Sequence, residues 1–431
     1  MTVATKSSSI WRPFTQMKTS PPPLAVRSGN GALLRLEDGR EIVDCISSWW
    51  VNIHGHAHAE IASAIYEQAS KLEHVLFAGF THEPAERLAL LLLNHFPNAL
   101  QKIFYSDNGS TAVEVALKMA FQYWRNKGER RDKFIGFAGG YHGDTIGAMS
   151  VAGSSPFWQP YRTIMTAFDS VPFPAISEAA DHVSAQEDSV IATIRLLVEK
   201  SPNQFAGIFI EPLVQGAGGM RMCSMQFLQK LERLCAETGL LLIYDEVMTG
   251  FGRTGDWFAC VKSSTTPDIM CISKGITGGF LPLAVTACKD YIYDSFLSDN
   301  SADMFCHGHS YTANPIACAA AIKSIELLQE NVSAFENMEI LHRRYAEKYL
   351  RELSNIRNIR FCGTIAAFEV INEDEDNYHN QISPILRERF LARNLLIRPL
   401  GNTVYLMPPY CIDEETLSSV YENMALVLKQ L

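Results

Sequence analysis

None of the ten cysteines pairs in a C-x-x-C spacing, and no apolar run reaches membrane-spanning length; LALLLL (88–93) is far too short. The first absence argues against a disulfide framework or a zinc ribbon and suits reduced thiols in a cytosol. The second leaves no membrane role to expect. A basic excess is also missing: 37 Lys and Arg stand against 47 Asp and Glu, a net charge of −10. Nucleic acid, which needs a basic face, is not an expected partner. The stretch MTVATKSSSIWRPF (1–14) has no apolar signal core, so the expected location is cytoplasmic. There is no internal repeat, and FAGGYHG (137–143) lacks the G-x-G-x-x-G spacing of a dinucleotide fingerprint.

What is present is an ordinary globular composition, 47% hydrophobic and 19% charged over 431 residues, enough for two or three domains. GALLRLEDGREIVDCI (31–46) reads as a hairpin turning at Asp38-Gly39. HAEIASAIYEQASKL (58–72) and PAERLALLLLNHF (84–96) carry helical periods. KIFYS, FIGFAG, FAGIFIEPL, LLLIYDE, DIMCIS and LAVTAC are apolar runs of strand length, most of them separated by helical or loop segments. That alternation predicts an α/β fold with a mostly parallel sheet covered on both faces. The large domain is expected at 50–315, with 315–330 a helix leading out of it. A smaller α+β domain would combine 1–49 with 316–431. LLIRPL (395–400) and TVYLMP (403–408) flank Gly401-Asn402, a hairpin signal. AISEAADHVSAQEDS (175–189) and NEDEDNYHN (372–380) read as solvated acidic loops.

Ligands of such sheets sit beyond the carboxyl ends of the strands. Three exits carry chemistry, and a fourth strand, GIFI, exits at Glu211-Pro212 with no role assigned. LLLIY ends on Asp245-Glu246, and DIMCIS ends on Lys274 followed by Gly275, Gly278 and Gly279. KIFYS runs through Asp107-Asn108-Gly109-Ser110 into a helix starting near Thr111, where Thr111 and Glu114 fit a capping box or Ser110 is the cap. A helix start in a Gly-Ser loop offers free N–H groups to a phosphate. Taken singly, each feature has a plainer reading: a snorkelling lysine, a helix cap, an aromatic Tyr141 in a turn. Together they suit pyridoxal phosphate. Its aldehyde takes a lysine amine as a Schiff base, and a carboxylate keeps its ring nitrogen protonated. These groups lie on opposite sides of the ring, so Asp245 and Lys274 on separate strands fit.

The stretches YDEVMTGFGRTG (244–255), SKGITGGFLP (273–282), SDNGSTAVEVALKMA (106–120) and GYHGDTIGAMS (140–150) resemble the class III aminotransferases, fold-type I pyridoxal-phosphate enzymes that work as dimers. IWRPFTQMK (10–18), SSWWVNIHGHAH (47–58) and IRPLGNTVYLMPPY (397–410) are similar to the branch that aminates 8-amino-7-oxononanoate in biotin synthesis. The resemblance implies that Lys274 carries the cofactor and shuttles a proton, that Asp245 pairs with the ring nitrogen, and that Tyr141 and Val247 pack on the two ring faces. It implies that Gly109 and Ser110 hold the phosphate, with Ser310 of a partner subunit. Trp49, Trp50, Phe14, Tyr141, Gly308, Arg398 and Tyr405 would bind substrate, with the Arg398 guanidinium gripping the carboxylate of the oxononanoate. Strand alternation would leave only Trp50 on the substrate side. HGHAH (54–58) is expected to be structural, with no metal.

Two features bear on the amino donor. Phe14 stands where the branch often has Tyr, and HGHSYT (307–312) replaces a common HGPTF. Both resemble members that use lysine, whereas the Trp pair resembles those that use S-adenosylmethionine. The alternatives are an aminotransferase of ornithine or 4-aminobutyrate type and a non-catalytic regulator of the same fold.

Overall fold

A computed structural model describes residues 9–151, 156–166, 168–176, 183–373 and 380–431. At its centre is a seven-stranded sheet in the order Leu100–Ser106, Ala284–Lys289, Ile269–Ile272, Leu241–Asp245, Phe205–Ile210, Lys133–Phe137 and Asp169–Val171. Ala284–Lys289 runs antiparallel to both neighbours; every other pairing is parallel. The three strands Phe205–Ile210, Leu241–Asp245 and Ile269–Ile272 are buried at every residue, which explains their unbroken apolar runs. The parallel strands end on one edge of the sheet. The helix Gly109–Asn126 turns Val113, Ala116 and Ala120 onto one face of it. Among the described residues, no helix is long and apolar enough to cross a membrane.

Chain ends meet in a second body. Val26–Asn30, Leu33–Leu36 and Glu41–Asp44 form a meander, and Leu395–Leu396 joins its edge in parallel. Ile356–Cys362, Ile365–Val370 and Thr403–Leu406 form an antiparallel sheet, backed by the helices Met338–Tyr349 and Glu414–Leu428 in a separate core.

Several expectations need correcting. The helix Pro315–Glu330 does not lead out of the sheet domain. It packs on Ala59–Ala69 and Glu83–Leu93, and its Ala317, Ala321 and Ile325 belong to the main core. The turn at Gly401-Asn402 closes through reciprocal Leu400 and Thr403 backbone bonds of 2.9 and 3.0 Å, yet the flanking strands separate into different sheets. Val183–Lys200 is a helix, so the acidic loop expected to 189 ends earlier. Residues 1–8, 177–182 and 374–379 of the segments read above lie outside the described residues.

Candidate active site

The strand exits enclose a cavity of about 450 Å³ lined by Trp50, Gly109, Ser110, Tyr141, Asp245, Val247 and Lys274, among others. Lys274 stands two residues past the end of a buried strand and takes φ +43°, a left-handed conformation that costs a non-glycine residue on the order of 1 kcal/mol. Such strain is kept where it aims a side chain. Here Nζ lies 4.7 Å from the centroid of the Trp50 ring. Burial lowers the Lys274 pKa, the nearby Arg253 lowers it further, and the charges of Asp245 and Glu211 only partly oppose this. A lysine held in that balance is closer to a neutral nucleophile than a surface lysine is.

Asp245 is buried, and both carboxylate oxygens are occupied. Oδ1 accepts from Val247 N at 3.0 Å, and Oδ2 lies 2.7 Å from His142 Nδ1. Burial pulls the His142 pKa down, but the bond to Asp245 and the charges of Asp245 and Glu211 outweigh it and raise the pKa overall. The adjacent Glu246 turns the other way. It accepts from Ala259 N and Cys260 N at 2.7 and 2.8 Å and caps a short helix.

The anion cup differs in detail from the expectation. The N-cap is Asn108, whose side chain accepts from Thr111 N at 3.1 Å, with Thr111 Oγ1 bonding back to Asn108 N at 3.1 Å. Neither Ser110 nor the Thr111–Glu114 pair caps the helix; Glu114 instead receives Gly147 N at 2.7 Å. The cap leaves the Gly109 and Ser110 N–H groups at the helix start without an intrahelical partner. A Cβ at Gly109 would meet Val247 Cγ1 at 2.6 Å, and one at Gly143 would collide with Ser110 Oγ. Lysine, buried carboxylate and glycine-lined helix start fit the aldehyde, ring nitrogen and phosphate of pyridoxal phosphate.

Trp50 is buried in the wall and donates Nε1–H to Tyr405 Oη at 2.9 Å. The two tryptophans do diverge, but not by strand alternation: Ser47–Trp50 is a kinked turn with φ +59° at Ser48 and +70° at Trp50. Trp49 is half-exposed, with the Phe14 ring centroid at 5.6 Å and the Arg398 guanidinium 5.2 Å from its own ring centroid. Phe14, Trp49, Arg398 and Tyr405 therefore stand outside the ring of cavity-lining residues. Gly308 and Ser310 are exposed and also outside it. In HGHAH, His54 bonds to Ser324 O at 2.9 Å and His56 to Asp44 Oδ2 at 2.9 Å.

Three polar side chains at the site had no role assigned from sequence. His142 was hidden beside Tyr141. Glu211 was visible only as a strand exit. Arg253, in GFGRTG, is buried and donates to Trp50 O at 3.2 Å and Pro408 O at 3.0 Å, fixing the Trp50 turn. Burial lowers its pKa.

Residues 14–428 match the family described as aminotransferase class-III. A protein of Synechococcus elongatus named adenosylmethionine-8-amino-7-oxononanoate aminotransferase is 50% identical, covering 98% of this chain and 99% of its own length. The like-named protein of Geobacter sulfurreducens is 37% identical, covering 96% and 94%. The crystal structure of the enzyme of that name from Methanocaldococcus jannaschii superposes with a TM-score of 0.90 at 32% identity, covering 98% and 97%. An amine transaminase from an uncultivated Pseudomonas species, solved in its PLP-bound form, gives 0.90 at 26% identity, with 98% of each chain covered. On sequence, fold and the arrangement of the cavity, this chain belongs to the class III aminotransferases.

Proposed function

We propose that the chain aminates 8-amino-7-oxononanoate to 7,8-diaminononanoate, the biotin-pathway step, with pyridoxal phosphate as cofactor and S-adenosylmethionine as donor. The observation that carries the reading is the convergence of Lys274 and Asp245 from neighbouring strands on one cavity walled by Trp50. The printed names of the relatives support the substrate and the donor.

When bound, the cofactor supplies an aldehyde for amines and a cationic ring that takes up electrons from the substrate carbon. The chain supplies the rest. Lys274 Nζ holds the aldehyde end and moves the proton, and Asp245 keeps the ring nitrogen protonated. The helix start at Gly109 and Ser110 takes the phosphate, while Tyr141 and Val247 confine the ring. Trp50, braced by Tyr405, shapes the substrate wall, and Trp49 and Phe14 border the approach. Gly308 and Ser310 would serve the cavity of a second copy, so the working unit is a homodimer. That reading is supported by their exposure and by that of Phe80 and Tyr311, 61% and 62% accessible in the single chain.

Arg398 stacks on Trp49 and has no ion-pair partner among the described residues, so its charge is available to a substrate carboxylate. Arg398→Ala should raise the KM for 8-amino-7-oxononanoate by on the order of 10- to 100-fold and leave kcat nearly unchanged. An unchanged KM in steady-state assays would remove it as the carboxylate clamp.

Single-turnover absorbance tests the whole reading. S-adenosylmethionine or L-lysine is added to cofactor-loaded protein without acceptor, then 8-amino-7-oxononanoate is added. S-adenosylmethionine should bleach the visible band, and the acceptor should restore it with formation of 7,8-diaminononanoate. Bleaching by lysine alone would transfer the donor role to lysine, the reading that Phe14 favours. No restoration by the acceptor would refute the substrate.

A further inference from the structure

Glu211 stands at the carboxyl end of the strand Phe205–Ile210 and plays no part in the roles assigned above. It is buried, 6% exposed, and lines the cavity. Its two oxygens reach in different directions. Oε2 accepts from Tyr141 N at 3.0 Å, and Oε1 accepts from Gly216 N at 3.0 Å. The first N–H belongs to the loop that carries Tyr141 and His142. The second belongs to the turn between Val214–Gln215 and Arg221–Met222. That turn backs the wall that carries Trp50: a Cβ at Gly216 would touch the Trp50 ring at 3.3 Å and Met248 Cε at 3.0 Å. Its far side is tied down by Arg360, which donates to Gly219 O at 2.6 Å and Met220 O at 2.8 Å and pairs with Glu369 at 3.0 Å.

We propose that Glu211 is a positioning residue that spans the cavity floor and fixes the spacing between the Tyr141 loop and the turn behind Trp50. The proposal rests on the amino-transfer reading of the cavity. A carboxylate suits the task because it accepts on both oxygens at once, whereas an amide accepts on one. The titratable and charged groups around it are Tyr141 and His142 on the loop, Asp245, Lys274 and Arg221. Burial raises its pKa to about 7, while the charge of His142 and the two N–H bonds pull the other way. Its negative charge in turn raises the pKa of Lys274.

Two variants separate span from charge. Glu211→Gln loses one acceptor and the charge. Glu211→Asp keeps the charge but is one methylene too short to reach both N–H groups. Both should raise the KM of donor and acceptor by about tenfold, with a smaller fall in kcat, and change the visible circular dichroism of the bound cofactor. Only Glu211→Gln should lower the pH at which the visible band titrates, because only it removes the charge that raises the Lys274 pKa. A variant that merely loosened the fold would lower the unfolding temperature without moving the dichroism or the band. Wild-type KM and dichroism in Glu211→Asp would overturn the proposal, and that variant decides alone should Glu211→Gln fail to fold. Failure of the amino-transfer reading would look different: the wild-type protein itself would not aminate the acceptor.

Discussion

Lys274→Ala should abolish transamination, with kcat reduced by at least about 10⁴-fold and the visible absorbance of cofactor-loaded protein lost. The argument starts from cost. Two residues past a strand buried at every residue comes a lysine in left-handed backbone, beside a tryptophan ring and within reach of the charge of a fully buried arginine. Desolvation works against the charged form, so the fold gains little from a lysine there. A structural lysine would snorkel outward, and this one faces the cavity. Alanine at 274 removes only atoms that project into that space. The unfolding temperature should therefore stay within a few degrees of wild type, which separates lost chemistry from lost folding. Among the described residues no other lysine lines the cavity to take over. Steady-state assay and absorbance on the same folded sample check the expectation, and retained turnover would refute the role.

How far the chain could be read before folding differs from one feature to the next, for a physical reason. A charged residue closing an apolar run is a local pattern, so the exits at Asp245 and Lys274 were visible, as was the α/β alternation. Asp245 rather than its neighbour Glu246 was assigned to the ligand, but nothing local in the sequence separates the two acids. Asp245 and Glu246 point to opposite sides of the strand end, and their difference lies in partners: His142 at a separation of 103 residues for one, Ala259 and Cys260 for the other. The cap of the helix at 109 was misread because Asn108, Ser110 and Thr111 are all good caps, and only backbone geometry selects Asn108. Gly401-Asn402 does make a tight turn, as local propensity says. The flanking strands nevertheless part, because Leu395–Leu396 finds Val43–Asp44 and Thr403–Leu406 finds Ala366–Glu369. Long-range pairing overrode the local signal. Arg253 bonds to the backbone of Trp50 and Pro408, and Glu211 to Tyr141 N at a separation of 70 residues, and no sequence spacing encodes those.

Asp245→Asn should lower kcat by on the order of 10²- to 10⁴-fold while leaving substrate KM values within a few-fold. Asparagine is nearly the same shape and can keep one of the two bonds that Asp245 makes, to Val247 N or to His142. It cannot supply the negative charge that keeps a proton on the ring nitrogen of a bound cofactor. The loss should therefore appear in the chemical step more than in binding. A second readout follows from His142. Asp245 is the main reason its pKa is raised despite burial. A histidine whose folded pKa lies above its unfolded value of about 6.5 contributes stability that is complete below that value and is lost as pH rises through the elevated one. In cofactor-free protein, the unfolding midpoint of wild type should exceed that of Asp245→Asn most at mildly acidic pH. The gap should narrow as the pH climbs past the raised His142 value. A gap that stayed constant with pH would break the link between the two residues, and a kcat within tenfold of wild type would remove Asp245 as the partner of the ring nitrogen.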